Sequence, residues 1–241
     1  CVLFHSGEDS TTVLQGFTLT GGAATKWLDV HGAGTYREGG GILIELSSPT
    51  IRHNYIANNK AINSAGVSGA GGGGIRIGDG NPLIEGNIII GNQAKYGPGI
   101  VLNYTGCIIR NNVITGNTGG QSFNGGSGIW ITSGMPGKSK IIENNTIVEN
   151  SSTLSSGTGG IFVWGAGSVI IRNNIIWGNK PLTTQLKKLD SIPVVEYNDI
   201  QGAYAGSGNI NQNPMLDASC FILDPGSPCI DKGDSSVVYN D

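Results

Sequence analysis

Six segments of the chain align without gaps: Ile51-Arg52-His53-Asn54, Ile84-Glu85-Gly86-Asn87, Ile109-Arg110-Asn111-Asn112, Ile142-Glu143-Asn144-Asn145, Ile171-Arg172-Asn173-Asn174 and Val195-Glu196-Tyr197-Asn198. Two residues past each asparagine stands an isoleucine, from Ile56 to Ile200, and five units place a second asparagine three residues later, at Asn59, Asn92, Asn117, Asn150 and Asn179. The units begin 33, 25, 33, 29 and 24 residues apart. Their interiors keep one spacing and only the connections stretch, which is the mark of a solenoid in which each unit needs its neighbours to bury a core.

A second apolar stretch precedes each of the first five units: Ile42-Leu43-Ile44, Ile75-Arg76-Ile77, Ile100-Val101-Leu102, Ile129-Trp130-Ile131 and Ile161-Phe162-Val163. The outer residues are aliphatic and the middle one varies, a period of two that predicts short strands with the flanking residues inward. Glycine makes up 41 of the 241 residues and charged residues 13%. Glycine and asparagine disfavour helix, so an all-β chain is expected. No apolar run approaches the roughly 18 residues of a membrane span. A net charge of −3 provides no basic surface for nucleic acid.

Parallel, in-register stacking would bring equivalent side chains about 4.8 Å apart. Asn54, Asn87, Asn112, Asn145, Asn174 and Asn198 then form one amide ladder, and Asn59 to Asn179 a second. Asparagine also tolerates the left-handed backbone that sharp corners need. The residue after each first isoleucine alternates in sign: Arg52, Glu85, Arg110, Glu143, Arg172, Glu196. Stacking would set each charge between two opposite ones on the outside and penalise a slip by one coil.

The pattern resembles the right-handed parallel β-helix repeats of secreted polysaccharide lyases and of bacterial and archaeal cell-surface proteins. The resemblance runs from Val13-Leu14-Gln15-Gly16-Phe17 to Ser227-Pro228-Cys229-Ile230-Asp231, and its end segments are closer to the surface-protein branch. It implies an all-β, single-stranded right-handed solenoid of about eight coils over residues 1–202, closed by a capping segment over 203–241. It also implies an extracellular or cell-surface location, and a module that binds polysaccharide or assembles with copies of itself into a layer or fibre.

The long insertions all fall between the second asparagine and the next glycine-rich strand, so they would stack into a wall beside a sheet. The outward positions of that sheet would form the floor of a groove, with Trp130, Phe162 and Trp164 stacking on sugar rings and Glu45, Arg76 and Asn103 binding hydroxyls; the competing reading is that a loop or a second subunit packs there. The longest insertion, Ala23 to Glu38, holds Lys26, Trp27, Asp29, His31, Tyr36, Arg37 and Glu38. A polysaccharide lyase requires a base for a sugar proton and a cation for the uronate, so Asp29, His31, Tyr36 and Arg37 are the catalytic candidates of the rival, enzymatic reading. A glycosidase needs carboxylates about 5–10 Å apart, and no aspartate cluster marks the strand face. No motif supports Ca²⁺ or another metal, and no cofactor is implied.

Cys220 and Cys229 flank the Asp224-Pro225-Gly226 turn at a spacing that a disulfide could close; the alternative is a buried Cys229 thiol. Cys107 is expected to be buried and inert. Cys1-Val2-Leu3-Phe4 begins as though inside a coil, so an uncapped edge strand there could template head-to-tail filaments, unless an upstream segment covers it.

Overall fold

The computed structural model describes residues 2–120, 125–126 and 128–237. Three seven-stranded parallel sheets run the length of the stack. The first contains Val2–Phe4, Ile42–Glu45, Ile75–Gly78, Ile100–Asn103, Ile129–Thr132, Ile161–Trp164 and Leu186–Leu189. The second runs from Val13–Gln15 to Val194–Glu196, and the third from Thr18–Thr20 to Asp199–Ile200. Each coil contributes one strand to each, so the described residues form seven complete coils, in keeping with the eight or so that the repeat suggests. A four-stranded ladder from Lys60–Ala61 to Ser151–Ser152 lies beyond the second asparagine column. Among the described residues there is no α-helix, and so none long and apolar enough to cross a membrane.

The strand register is that of the repeat. Ile84 pairs with Ile51 and Ile109, and Ile89 with Ile56 and Ile114. The inward isoleucines are inaccessible to solvent and form one continuous core from Phe4 to Ile200. Each buried aliphatic side chain of this size contributes about 1.5–3 kcal/mol. The charged row is also in register, Glu85 beside Arg52 and Arg110, Glu143 beside Arg110 and Arg172. Arg110 meets Glu85 at 2.6 Å and Arg172 meets Glu143 at 2.8 Å, while Arg52 donates to Gln15 at 2.7 Å.

Both asparagine ladders form inside the corners. In the first, each Asn donates its backbone N–H and its Nδ2 to the Oδ1 of the next, from Asn54 through Asn198 and on to Asn209. Asn209 carries the ladder one rung into the C-terminal segment, where Tyr204 also packs on the core. The second ladder runs from Asn59 to Asn179 and ends on Gln185. The left-handed backbone expected at the ladder asparagines belongs instead to the residue before each: His53, Gly86, Asn111, Asn144, Asn173 and Tyr197, with φ between +53° and +62°. The chain turns there, which leaves the ladder residue free to aim its amide along the stack.

Of the two readings of Cys220 and Cys229, the structure has the one without a bridge. Cys220 is exposed, while the Cys229 thiol donates to Asp199 Oδ2 at 3.1 Å, so the two sulfurs serve different surroundings. Burial and the neighbouring Asp199 carboxylate push the Cys229 thiol up to about 12. Cys1 lies outside the described residues; Val2–Phe4 is the edge strand of the first sheet, beside Ile42–Ile44.

Lys140 stands opposite Cys107 in the second sheet and is 1% exposed, with Nζ donating to Ser133 O at 2.6 Å and Ala166 O at 3.1 Å. Burial away from any carboxylate lowers its pKa to about 8 from 10.5. Between those two values the unfolded chain binds the extra proton, so stability rises with pH. Burial raises Cys107 and Cys229 alike from 9.0 to about 12, which opposes the trend as pH approaches and passes 9. Denaturant titrations are therefore expected to show a Lys140-dependent gain of about 1 kcal/mol between pH 8 and 9, measured as the difference between the protein and Lys140→Met.

Candidate functional site

The insertion over Ala23–Glu38 is a β-hairpin: Thr25–Leu28 pairs antiparallel with Thr35–Glu38, Trp27 opposite Tyr36 and Lys26 opposite Arg37. Asp29 builds its tip, accepting the backbone N–H groups of His31 and Ala33 at 3.0 Å each, an Asx-type closure. The later insertions stack on the hairpin in register. Tyr36 bridges to Gly69, Gly71 bridges to Tyr96, and the Arg37 N–H donates to Gly69 O. A side chain at Gly71 would run into the Tyr96 ring, so glycine is required for that layer to close.

This layer covers the face expected to be an open groove floor. Leu43, Arg76, Val101 and Phe162 are at most 1% exposed and Trp130 is 6% exposed. Tyr96 packs on Trp130 at 5.2 Å between ring centroids, and Trp130 on Phe162 at 6.4 Å. An aromatic row is stable in water only when something covers it, and here the insertion loops do so. The open aromatic floor is thus corrected to a buried seam, and Phe162 is a core residue of that seam.

One end of the seam stays open. A cavity of about 130 Å³ lies between the hairpin and the first sheet, lined by Trp27, Asp29, Tyr36 and Glu38 from the hairpin and by Arg76, Asn103, Trp130 and Trp164 from the strands, with Tyr96 and Ala33. Residues from both stretches flagged in the sequence therefore meet in one place. Arg76 sits at its base and is fully buried. Its Nη1 pairs with Glu45 Oε2, its Nε lies 3.2 Å from Glu38 Oε2, and its guanidinium stands 4.3 Å above the Trp27 ring. Gly78 makes room for it, because a Cβ there would collide with Nη1.

Glu38 also accepts from the Trp27 indole N–H at 3.1 Å and from the Tyr96 hydroxyl. Burial raises the Glu38 pKa against the opposing pull of Arg76. Tyr36 is raised as well, by burial and then by the Glu38 and Asp29 charges. Four atoms in this region are shielded from water without a hydrogen bond: Arg76 Nε, which has only its ion pair with Glu38, Arg76 Nη2, Glu45 Oε1 beneath the guanidinium, and Asn103 Oδ1.

The four catalytic candidates do not converge. Asp29 and Tyr36 line the cavity, whereas His31 crosses the coil surface, stacking on Tyr104 at 3.8 Å and bonding Asp79 at 2.8 Å. Arg37 fastens the hairpin to Ser64 and to the carbonyls of Ala23 and Ala24. Glu45 is buried against Arg76 and does not line the cavity. Tyr96, in the short Lys95–Pro98 insertion, was not foreseen as part of the site. The alternation in Thr25–Leu28 and Thr35–Glu38 around the glycines of the tip was the available signal for the hairpin. No group of three or more His, Cys, Asp or Glu side chains gathers to hold a metal ion among the described residues.

A family model described as a right handed beta helix region matches residues 106–221. The protein is a right-handed parallel β-helix. The match covers the later coils, and the first three coils carry the same sheets in the same register. No curated protein and no solved structure matches the chain significantly.

Proposed function

We propose that this β-helix is a non-catalytic, extracellular or cell-surface module that binds a glycan at the cavity between the hairpin and the first sheet. The observation that carries the reading is the composition of that cavity, with three indoles and two phenols beside buried polar groups. Flat aromatic faces suit the C–H faces of a sugar ring, and a few fixed polar groups give such a site its orientation. The extracellular location rests on the resemblance of the repeat to secreted and surface β-helices.

A carbohydrate-active enzyme is the second reading, favoured by the raised Glu38 carboxyl beside Tyr36 and Asp29. Shielded carboxyls of that kind serve as proton donors in catalysis. Binding to a glycan array, followed by a screen of bound polysaccharides for cleavage, separates the two. The expected result is binding without turnover, weakened about tenfold or more by Trp164→Ala. Trp164 is the partly exposed indole at the strand end, so this change spares the buried seam. Product formation abolished by Tyr36→Phe would favour the enzyme.

A further inference from the structure

The unpartnered atoms at the cavity narrow its ligand. Arg76 is fully buried, with Nη1 and Nε turned to Glu45 and Glu38, and its Nη2 has no acceptor. Asn103 Oδ1 is shielded and has no donor. Both residues line the cavity. A buried polar atom without a partner is costly to the free protein, and a ligand that supplies the missing bond recovers that cost on binding. The site therefore asks for one acceptor and one donor.

Its charge balance sets a second condition. Among the described residues Arg76 is the single cation lining the cavity, against Asp29 and Glu38, and Glu45 already takes up one face of the guanidinium. An added carboxylate would meet these anions within one small cavity, an unfavourable like-charge juxtaposition. The guanidinium is therefore a directional donor here and does not act as a counter-ion for an acid.

Building on the glycan-binding reading, we propose that the ligand is an uncharged glycosyl residue. It presents an acceptor to Arg76 Nη2 and a donor to Asn103 Oδ1 while its apolar face lies against Trp27 or Trp164. Two sources carry that chemistry: a plain hexose, through neighbouring hydroxyls, and an N-acetylhexosamine, through its amide.

Calorimetric titration of the intact protein with neutral hexose oligosaccharides, N-acetylhexosamine oligosaccharides and oligogalacturonate tests this. At least one neutral series is expected to bind, with an affinity insensitive to salt, and which one binds identifies the source. Oligogalacturonate is expected to bind at least tenfold more weakly than that series. Asn103→Leu is the informative variant, because its lost acceptor has no partner in the free protein. It should weaken binding about tenfold or more while leaving the melting temperature unchanged or higher.

Tight binding of oligogalacturonate that weakens as salt rises would overturn the uncharged ligand and leave the glycan-binding reading standing. Failure of all three series to bind would remove both. Unaltered affinity in Asn103→Leu, or a melting temperature that falls, would show that Oδ1 has a structural task and overturn its assignment to the ligand.

Discussion

Asn112→Leu is expected to lower the stability of the protein by about 3–5 kcal/mol, the sum of two or three stranded buried groups. Asn112 is 1% exposed and stands mid-ladder. Its Nδ2 donates to Ile84 O at 2.9 Å, Arg110 O at 2.9 Å and Asn145 Oδ1 at 3.0 Å, and its Oδ1 accepts from Asn87 N at 2.9 Å and Asn87 Nδ2 at 3.0 Å. Leucine matches the volume and removes every one of these side-chain bonds. The Asn87 backbone N–H loses its acceptor in a place that water does not reach. For a chain of this size the midpoint should fall by roughly 10 °C. Asn209→Leu, at the partly exposed end of the same ladder, should cost about 1 kcal/mol, because water can replace what is lost. Thermal melts of the two variants side by side check the claim, and equal effects would show that the ladder does not act as an internal brace.

Arg76→Met is expected to be as severe, about 3–5 kcal/mol at pH 7, for an electrostatic reason. The change leaves Glu38 and Glu45 buried without their shared cation. The raised Glu38 pKa gives the pH dependence. Above the unfolded value of 4.5 the unfolded carboxyl loses its proton while the folded one retains it, so stability falls as pH rises through the folded value. Removing Arg76 takes away the pull that lowers the folded Glu38 value, so the deficit of the variant should be small near pH 4 and largest above neutrality. Adding Glu38→Gln and Glu45→Gln to Arg76→Met should restore most of the loss, since the cost lies in the uncompensated charges. Denaturant titration of the single and triple variants at pH 4.5 and pH 7.5 measures this. A deficit that is independent of pH and persists in the triple variant would assign the role of Arg76 to packing alone.

The parallel stack, its register, the internal asparagines and the alternating charged row were all legible in the residues, because a solenoid repeats one local environment at each coil. Ile51, Ile84 and Ile109 occupy the same position in successive coils, so a single spacing in the chain becomes a contact in space. The corner geometry was legible one residue out of place. The left-handed positions hold His53, Gly86 and Tyr197 as well as asparagines, and composition there varies while the ladder residue does not.

The site followed other rules. Trp130, Phe162 and Arg76 read as outward side chains, and they do leave the solenoid core, but the insertions fold back over them. Whether an outward residue meets water depends on segments 20 to 50 residues away in the chain, such as Tyr96 over Trp130 and the hairpin Trp27 beneath the Arg76 guanidinium. Those loops do not repeat, so no periodicity announces their paths. His31 and Tyr36 are neighbours in sequence, yet the Asp29 turn sends one to Asp79 and the other to the cavity. The sequence by itself determined the solenoid, through local patterns that each coil restates. Only the tertiary structure decided which polar groups share one cavity, because that depends on contacts made once, between loops of unequal length.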